Sequence, residues 1–226
     1  MARRASEPQR MRRDQGPQTN RGHERRAELL AAARRVFERD GYSETRVADI
    51  VAEARVAHGT FYSYFDSKEA IFRELTEAVV AEMLAEFRER LATGERGGST
   101  YDRIKEGVRQ YVDLYRPNAH MLALMEQVGS FTQEMRDLRL RVREEFLAWV
   151  EHGMKRQQAA GEADPGVDTH LMVEVLGAMM DHTCYLSFAL GKQFDEDSLV
   201  ETLTTVWSRA LAVSPDRPAP PTQERP

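Results

Sequence analysis

The chain has 226 residues, 41% of them apolar, enough for a real core in one large domain or two small ones. Its net charge of −5 is unevenly spread: residues 1–26 hold eight Arg against Glu7, Asp14 and Glu24, a balance of +5, which leaves −10 for the rest. Cys184 is the single cysteine, so an internal disulfide and a Cys-based zinc site are excluded, and no apolar run approaches the roughly 18 residues of a membrane span.

A basic arm on an acidic body predicts that a polyanion meets one end only, although a solvated tail has the same composition. The start of the chain carries the Arg of a signal peptide without its apolar stretch. The chain reads as cytoplasmic, with no membrane partner.

Residues 1–22 are rich in Arg, Gln and Pro and read as a disordered arm; residues 214–226 read as a disordered tail. Between them the apolar spacing is helical throughout. Ala27, Leu30, Ala33 and Phe37 form the first stripe, ended by Gly41. Thr45 is placed as the N-cap of a second helix whose apolar face is Val47, Ile50, Val51 and Ala54. A break near Arg55 to Ala57 leads to a short helix in which Phe61 and Phe65, four apart, share an inward face. Another helix begins near Ser67 and carries Phe72, Leu75, Val79, Met83 and Phe87.

The segment at 93–99 is the clearest internal linker. Ile104, Val108, Tyr111 and Tyr115 mark the next helix, stopped by Pro117. A short helix from Met121 to Val128 and a long one from Met135 past Trp149 follow. After a break at 161–168, two last helices are expected at about 168–190 and 196–212. No strand alternation and no repeat are visible, so the fold class is all-α.

Two short helices with a tight turn, packed on a preceding helix, make a helix-turn-helix whose second helix is the natural major-groove reader. A three-helix core with a decorated surface fits the same pattern, and pattern alone leaves the two readings about even. Residues 28–75, however, resemble the DNA-binding domain of the TetR/AcrR family of transcriptional regulators. The shared signature is F-x-x-x-G-Y at 37–42, the helix start at Thr45, D-I at 49–50, G-T-F-Y-x-Y-F at 59–65 and S-K-E at 67–69.

The resemblance implies a three-helix DNA-binding domain over 23–76 and a larger helical ligand-binding and dimerisation domain over 77–213. It implies that Thr45 and Arg46 approach the DNA backbone. His58, Gly59 and Thr60 then face base edges, Tyr62 and Tyr64 contact backbone, and Lys68 clamps a phosphate. Two positions depart from the pattern. Arg55 stands where the family often has Gly, and Ala57 where it often has a capping Ser, whose loss costs about 0.5–2 kcal/mol. Residues 43–68 carry a net charge of −1, so the motif itself is not basic.

Members of this family usually sense a small molecule in the later helices. Met and aromatic residues interleaved with His suit an adaptable apolar cavity, and they also suit an ordinary core. The candidates are Tyr111, Tyr115, Met121, Met125, Trp149, Met179, His182 and Tyr185. The Arg-rich run at 136–143 reads as a solvated helix face. In proteins similar to this one the last helix pair meets its twin in a four-helix bundle, which implies a homodimer through Leu186, Leu190, Leu203, Val206, Trp207 and Ala210. No cofactor or metal is expected: Asp181, His182, His152 and His170 cluster poorly on helices. No catalytic grouping is present, so an enzyme is disfavoured.

The expectation is a repressor released from a double-stranded DNA operator, pseudo-palindromic in form, by a hydrophobic small-molecule effector. The alternative is a DNA-binding protein whose C-terminal domain binds a protein partner and no small ligand.

Overall fold

The computed structural model describes residues 20–93 and 98–211, which form helices joined by short turns with no strand among them. The basic arm up to residue 19, most of the 93–99 linker and the tail lie outside the described residues. Helices α1 (Asn20–Asp40), α2 (Val47–Glu53) and α3 (His58–Tyr62) form the N-terminal unit. The long α4 (Lys68–Thr93) leads out of it. The body holds α5 (Thr100–Tyr115), α6 (Ala119–Gly129), α7 (Gln133–Ala159), α8 (Thr169–Cys184) and α9 (Glu196–Ala210). A 3-10 turn at Arg116–Asn118, containing Pro117, separates α5 from α6, and a π turn at Tyr185–Ala189 follows α8.

Local chemistry sets most of these boundaries. Gly41, at φ 78°, closes α1 by donating to Phe37 O at 2.9 Å, a left-handed conformation that costs glycine little. Ser99 and Asp102 form a reciprocal capping box at α5, while Asp168 and Asp195 cap α8 and α9 by accepting from Leu171 N and Ser198 N. The start of α2 differs from expectation. Arg46, not Thr45, is the N-cap residue, and its amide donates to Asp49 Oδ2 at 2.8 Å.

The first stripe also shifts. Leu29, Ala32, Ala33, Val36 and Phe37 are buried, while Ala27 is exposed. That set follows the i, i+3, i+4 spacing of one helix face. Residues 20–22, expected in the arm, already belong to α1.

Two cores result. One holds Leu29, Phe37, Phe61, Phe65 and Phe72 and continues into Met121, Met125 and Leu138 of α6 and α7. The other gathers Val112, Leu147, Val173, Val200, Leu203 and Trp207. The expected boundary at residue 76 therefore falls inside α4, and the core beneath the first three helices extends past it. Gly177 lets α7 and α8 approach closely: a Cβ there would stand 2.7 Å from Leu147 Cδ2. Among the described residues, no helix is long and apolar enough to cross a membrane.

Candidate nucleic-acid interface and ligand cleft

The turn from α2 to α3 passes through Arg55 at φ 54°, the positive-φ residue other than glycine among those described. Glycine would enter this conformation freely. The sequence departure thus marks a real backbone demand. Helix α3 starts at Ala57 without a side-chain cap, as expected from the missing Ser. Phe61 and Phe65 are buried, which fixes the inner face.

Outside that face lie His58, Gly59 and Tyr62, all exposed, with Tyr62 at 51%. The His58 and Tyr62 rings are 5.3 Å apart. A Cβ on Gly59 would meet nothing within 4 Å, so another molecule can come close to the backbone there. Arg46 and Arg55 are also exposed and form no salt bridge among the described residues.

Three expected contacts sit differently. Thr45 is 2% exposed, and its Oγ1 donates to Gly41 O at 2.6 Å. Its side chain ties a loop and is not presented to DNA. Lys68 Nζ donates to Tyr42 O at 2.8 Å and Thr45 O at 2.9 Å and lies 4.4 Å from the Tyr42 ring centroid. Two of its three donors are therefore committed inside the protein. Tyr64 is half-buried against the core, and its carbonyl accepts from Arg26 at 3.2 Å. Glu53 on α2 pairs with Arg35 at 2.7 Å and Arg39 at 3.7 Å, so α1 arginines neutralise the acid nearest the turn.

A cleft of about 1610 Å³ opens among α4 to α8 and the end of α9. Tyr111, Tyr115, Met125, Trp149 and His182 line it, as the sequence reading expected. Trp149 is 45% exposed and marks an open side. Met121 is instead buried in the core shared with the N-terminal unit. Met179 packs half-buried on the second core, and Tyr185 stacks on His182 at 5.9 Å without reaching the wall.

The run at 136–143 is partly solvated, with Arg136 and Arg141 exposed, and three of its arginines also border the cleft. Arg136, Arg139 and Arg143 line the cleft; Arg139 pairs with Glu126 at 3.2 Å and Arg143 with Glu174 at 2.9 Å. Asp181 also lines it, accepting from Tyr111 Oη at 3.3 Å. Burial pushes the Asp181 carboxyl above its ordinary range and the Tyr111 hydroxyl well above its own. Cys184 is buried beside them, its thiol pushed up to about 12 by burial and then by Asp181.

The last helix pair divides by face. Leu203 and Trp207, expected at a dimer interface, are 3% and 7% exposed and belong to the chain's own second core. Trp207 also lines the cleft. Leu171, Val175, Leu190 and Val206 are exposed apolar residues of α8, the turn after it and α9, with Leu186 and Ala210 half-buried.

Residues 29–75 match the model of bacterial regulatory proteins of the tetR family, and residues 104–212 match the C-terminal domain of the transcriptional regulator EthR. The chain belongs to the TetR family. EthR of Mycobacterium tuberculosis is 25% identical over 194 residues, covering 84% of this chain and 88% of EthR. The HTH-type regulator YfiR of Bacillus subtilis is 34% identical over 96 residues, 41% of this chain and 47% of YfiR, so this match spans about half of that relative. Bacillus subtilis FadR, solved in complex with stearoyl-CoA, gives a TM-score of 0.67 at 20% identity over 84% of this chain and 99% of FadR. At that identity the likeness is one of fold.

This TetR-family protein is a DNA-binding transcriptional regulator of the helix-turn-helix type. Its motif lies within the matched segment. The exposed outer surface of α3 occupies the reader position of the motif.

Proposed function

We propose that the protein acts in the cytoplasm as a homodimeric repressor, released from a pseudo-palindromic operator when a hydrophobic small molecule fills the cleft. One observation carries this reading. Val80, Leu84 and Met125 stand in the cleft wall and also belong to the core that holds Phe61 and Phe65 of the DNA-binding unit. A close-packed core switches between discrete arrangements and does not deform continuously. A ligand that favours one arrangement of α4 and α6 therefore moves the α3 surface. Lys68, the first residue of α4, ties the same helix to the backbone at Tyr42 and Thr45.

DNA affinity then falls by the ligand's unequal affinity for the two states. The exposed apolar side chains of Leu171, Val175 and Val206 support pairing with a second copy, whose two-fold symmetry presents two α3 helices to two half-sites. FadR, a fold neighbour solved with stearoyl-CoA, supports an occupant with a long apolar chain. The open cleft favours this reading over a body that binds a protein partner alone.

The test is a thermal-shift screen followed by operator-binding anisotropy. A hundredfold excess over its dissociation constant stabilises the protein by about 2.7 kcal/mol. The same compound lowers operator affinity, and Gly153→Trp, at a cleft position where an added Cβ meets nothing within 4 Å, removes both effects while keeping DNA binding. A compound that stabilises the protein and leaves operator affinity unchanged contradicts the coupling.

A further inference from the structure

The wall of the cleft contains a carboxylate with no cation. Among the described residues Asp181 accepts one side-chain hydrogen bond, from Tyr111 Oη at 3.3 Å, and forms no salt bridge. Arg139 and Arg143 act on it electrostatically, but both are committed to other acids, Glu126 at 3.2 Å and Glu174 at 2.9 Å.

A second acceptor stands unmet in the same wall. Gln110 is 7% exposed and lines the cleft. Its Nε2 donates to Glu106 Oε1 at 2.8 Å, which fixes the amide orientation and leaves Oε1 buried without a partner. Buried acceptors with nothing to accept are costly, and a buried carboxylate more so.

Aromatic rings complete the surroundings. Tyr111 lies 5.9 Å from Tyr115 and 5.2 Å from Phe146, and Phe87 lies 4.3 Å from Phe146. Such faces attract a cation and pack against hydrocarbon. The geometry points to an amphipathic amine as the occupant, its protonated nitrogen paired with Asp181 and its hydrocarbon lying against Phe87, Tyr111 and Phe146. This rests on the cleft being a ligand site, as proposed above. An ammonium supplies both the charge that Asp181 lacks and N–H donors for open acceptors. An anionic headgroup brings like charge to Asp181, and the dodecanoate arm of the test asks whether Arg136, which borders the cleft and bonds only carbonyls and Gln133 among the described residues, outweighs that repulsion. An alcohol supplies a donor without the charge.

The experiment titrates the full chain, at pH 7 and below the aggregation threshold of each probe, with dodecylamine, dodecanol and dodecanoate. Binding is read by tryptophan fluorescence, since Trp149 and Trp207 both line the cleft. The amine binds about tenfold tighter than the alcohol, the margin of a charge-assisted contact. Asp181→Asn brings the amine down to the level of the alcohol measured on the same variant, with its helical circular dichroism intact. If dodecanol or dodecanoate binds wild type as tightly as the amine, the amine proposal falls and the cleft reading stands. The same holds if the Asn variant keeps the preference. If none of the three binds, the cleft reading falls and the proposal with it.

Discussion

Lys68 Nζ donates to the carbonyl oxygen of Thr45 at 2.9 Å, bridging the start of α4 to the loop that opens the helix-turn-helix. With its bond to Tyr42 O, this lysine is a structural tie within the DNA-binding unit. Lys68→Ala leaves two carbonyls without their donor and costs about 1–3 kcal/mol of stability. Urea denaturation measures the loss. In buffer where the variant is folded, the slope of operator affinity against salt stays as in wild type. A slope reduced by about one unit restores Lys68 as a phosphate contact.

Arg55 gives a second prediction, in which stability and DNA binding move oppositely. A left-handed conformation costs an ordinary residue about 1–2 kcal/mol, and glycine gives back about 0.5–1 through its freer unfolded chain. Arg55→Gly therefore raises stability by up to about 1 kcal/mol. It also removes an exposed cation beside α3, so operator binding weakens and its salt slope shrinks by about 0.9. A thermal melt and a salt titration on one sample check both halves.

Tyr62 and His58 are exposed next to one another on α3. Replacing both with Ala lowers operator affinity at least about tenfold, if each contributes a contact on the order of 1 kcal/mol. The melting temperature stays within about a degree or two, because surface changes of this kind fall within about 0.5 kcal/mol. Unchanged operator affinity removes α3 from the interface.

Assembly separates two residues three apart on α9. Val206 is 39% exposed and Leu203 is 3% exposed. Val206→Arg gives folded monomers in sedimentation, with weak operator binding. Leu203→Arg buries an unpaired charge in the second core and unfolds the body. A normal dimer from Val206→Arg moves the interface elsewhere.

The fifth prediction concerns pH. Asp181 has a raised carboxyl in the folded chain because burial disfavours its charge, and nearby Glu126 adds to this against Arg139, Tyr111 and Arg143. Between the ordinary and the raised value the folded state holds more protons than the unfolded one. Stability attributable to this group therefore falls as pH rises through that window. Asp181→Asn lacks that dependence. Its advantage over wild type grows as pH rises from about 4, the ordinary carboxylate value, and then levels off. Parallel urea titrations across that range measure it.

How far the sequence could be read follows from what each contact is made of. Phe61 and Phe65 are legible because a spacing of four puts them on one side; α3 itself ends at Tyr62, but Phe65 N still donates to Phe61 O at 2.9 Å and both rings are buried. The turn at Arg55 is legible because glycine is the residue such turns demand, and its absence stands out. Lys68 is not legible, since its partners are backbone carbonyls that leave no mark in the residue pattern. Leu203 and Trp207 are misread for a different reason. An apolar helix in a bundle has two candidate neighbours, and spacing alone does not say which one a given face meets. The 136–143 arginines read as a solvated face because charge usually is, and Asp181 shows in the pattern only as a poorly clustered metal ligand. Their place in the cleft wall depends on α7 and α8 closing around Gly177, a contact between distant segments. Gly177, set among Leu176, Met179 and Met180, was a signal for that approach that could have been used.

Selection of duplexes from a randomised pool by the full chain, followed by footprinting of the enriched sequence, tests the central claim most directly. Two half-sites related by two-fold symmetry, about one helical turn apart or a multiple of it, are expected, with two α3 surfaces read at once. Two or more chains bind each duplex, in an even number. A single unrepeated site bound by one chain, or no enrichment at all, contradicts it.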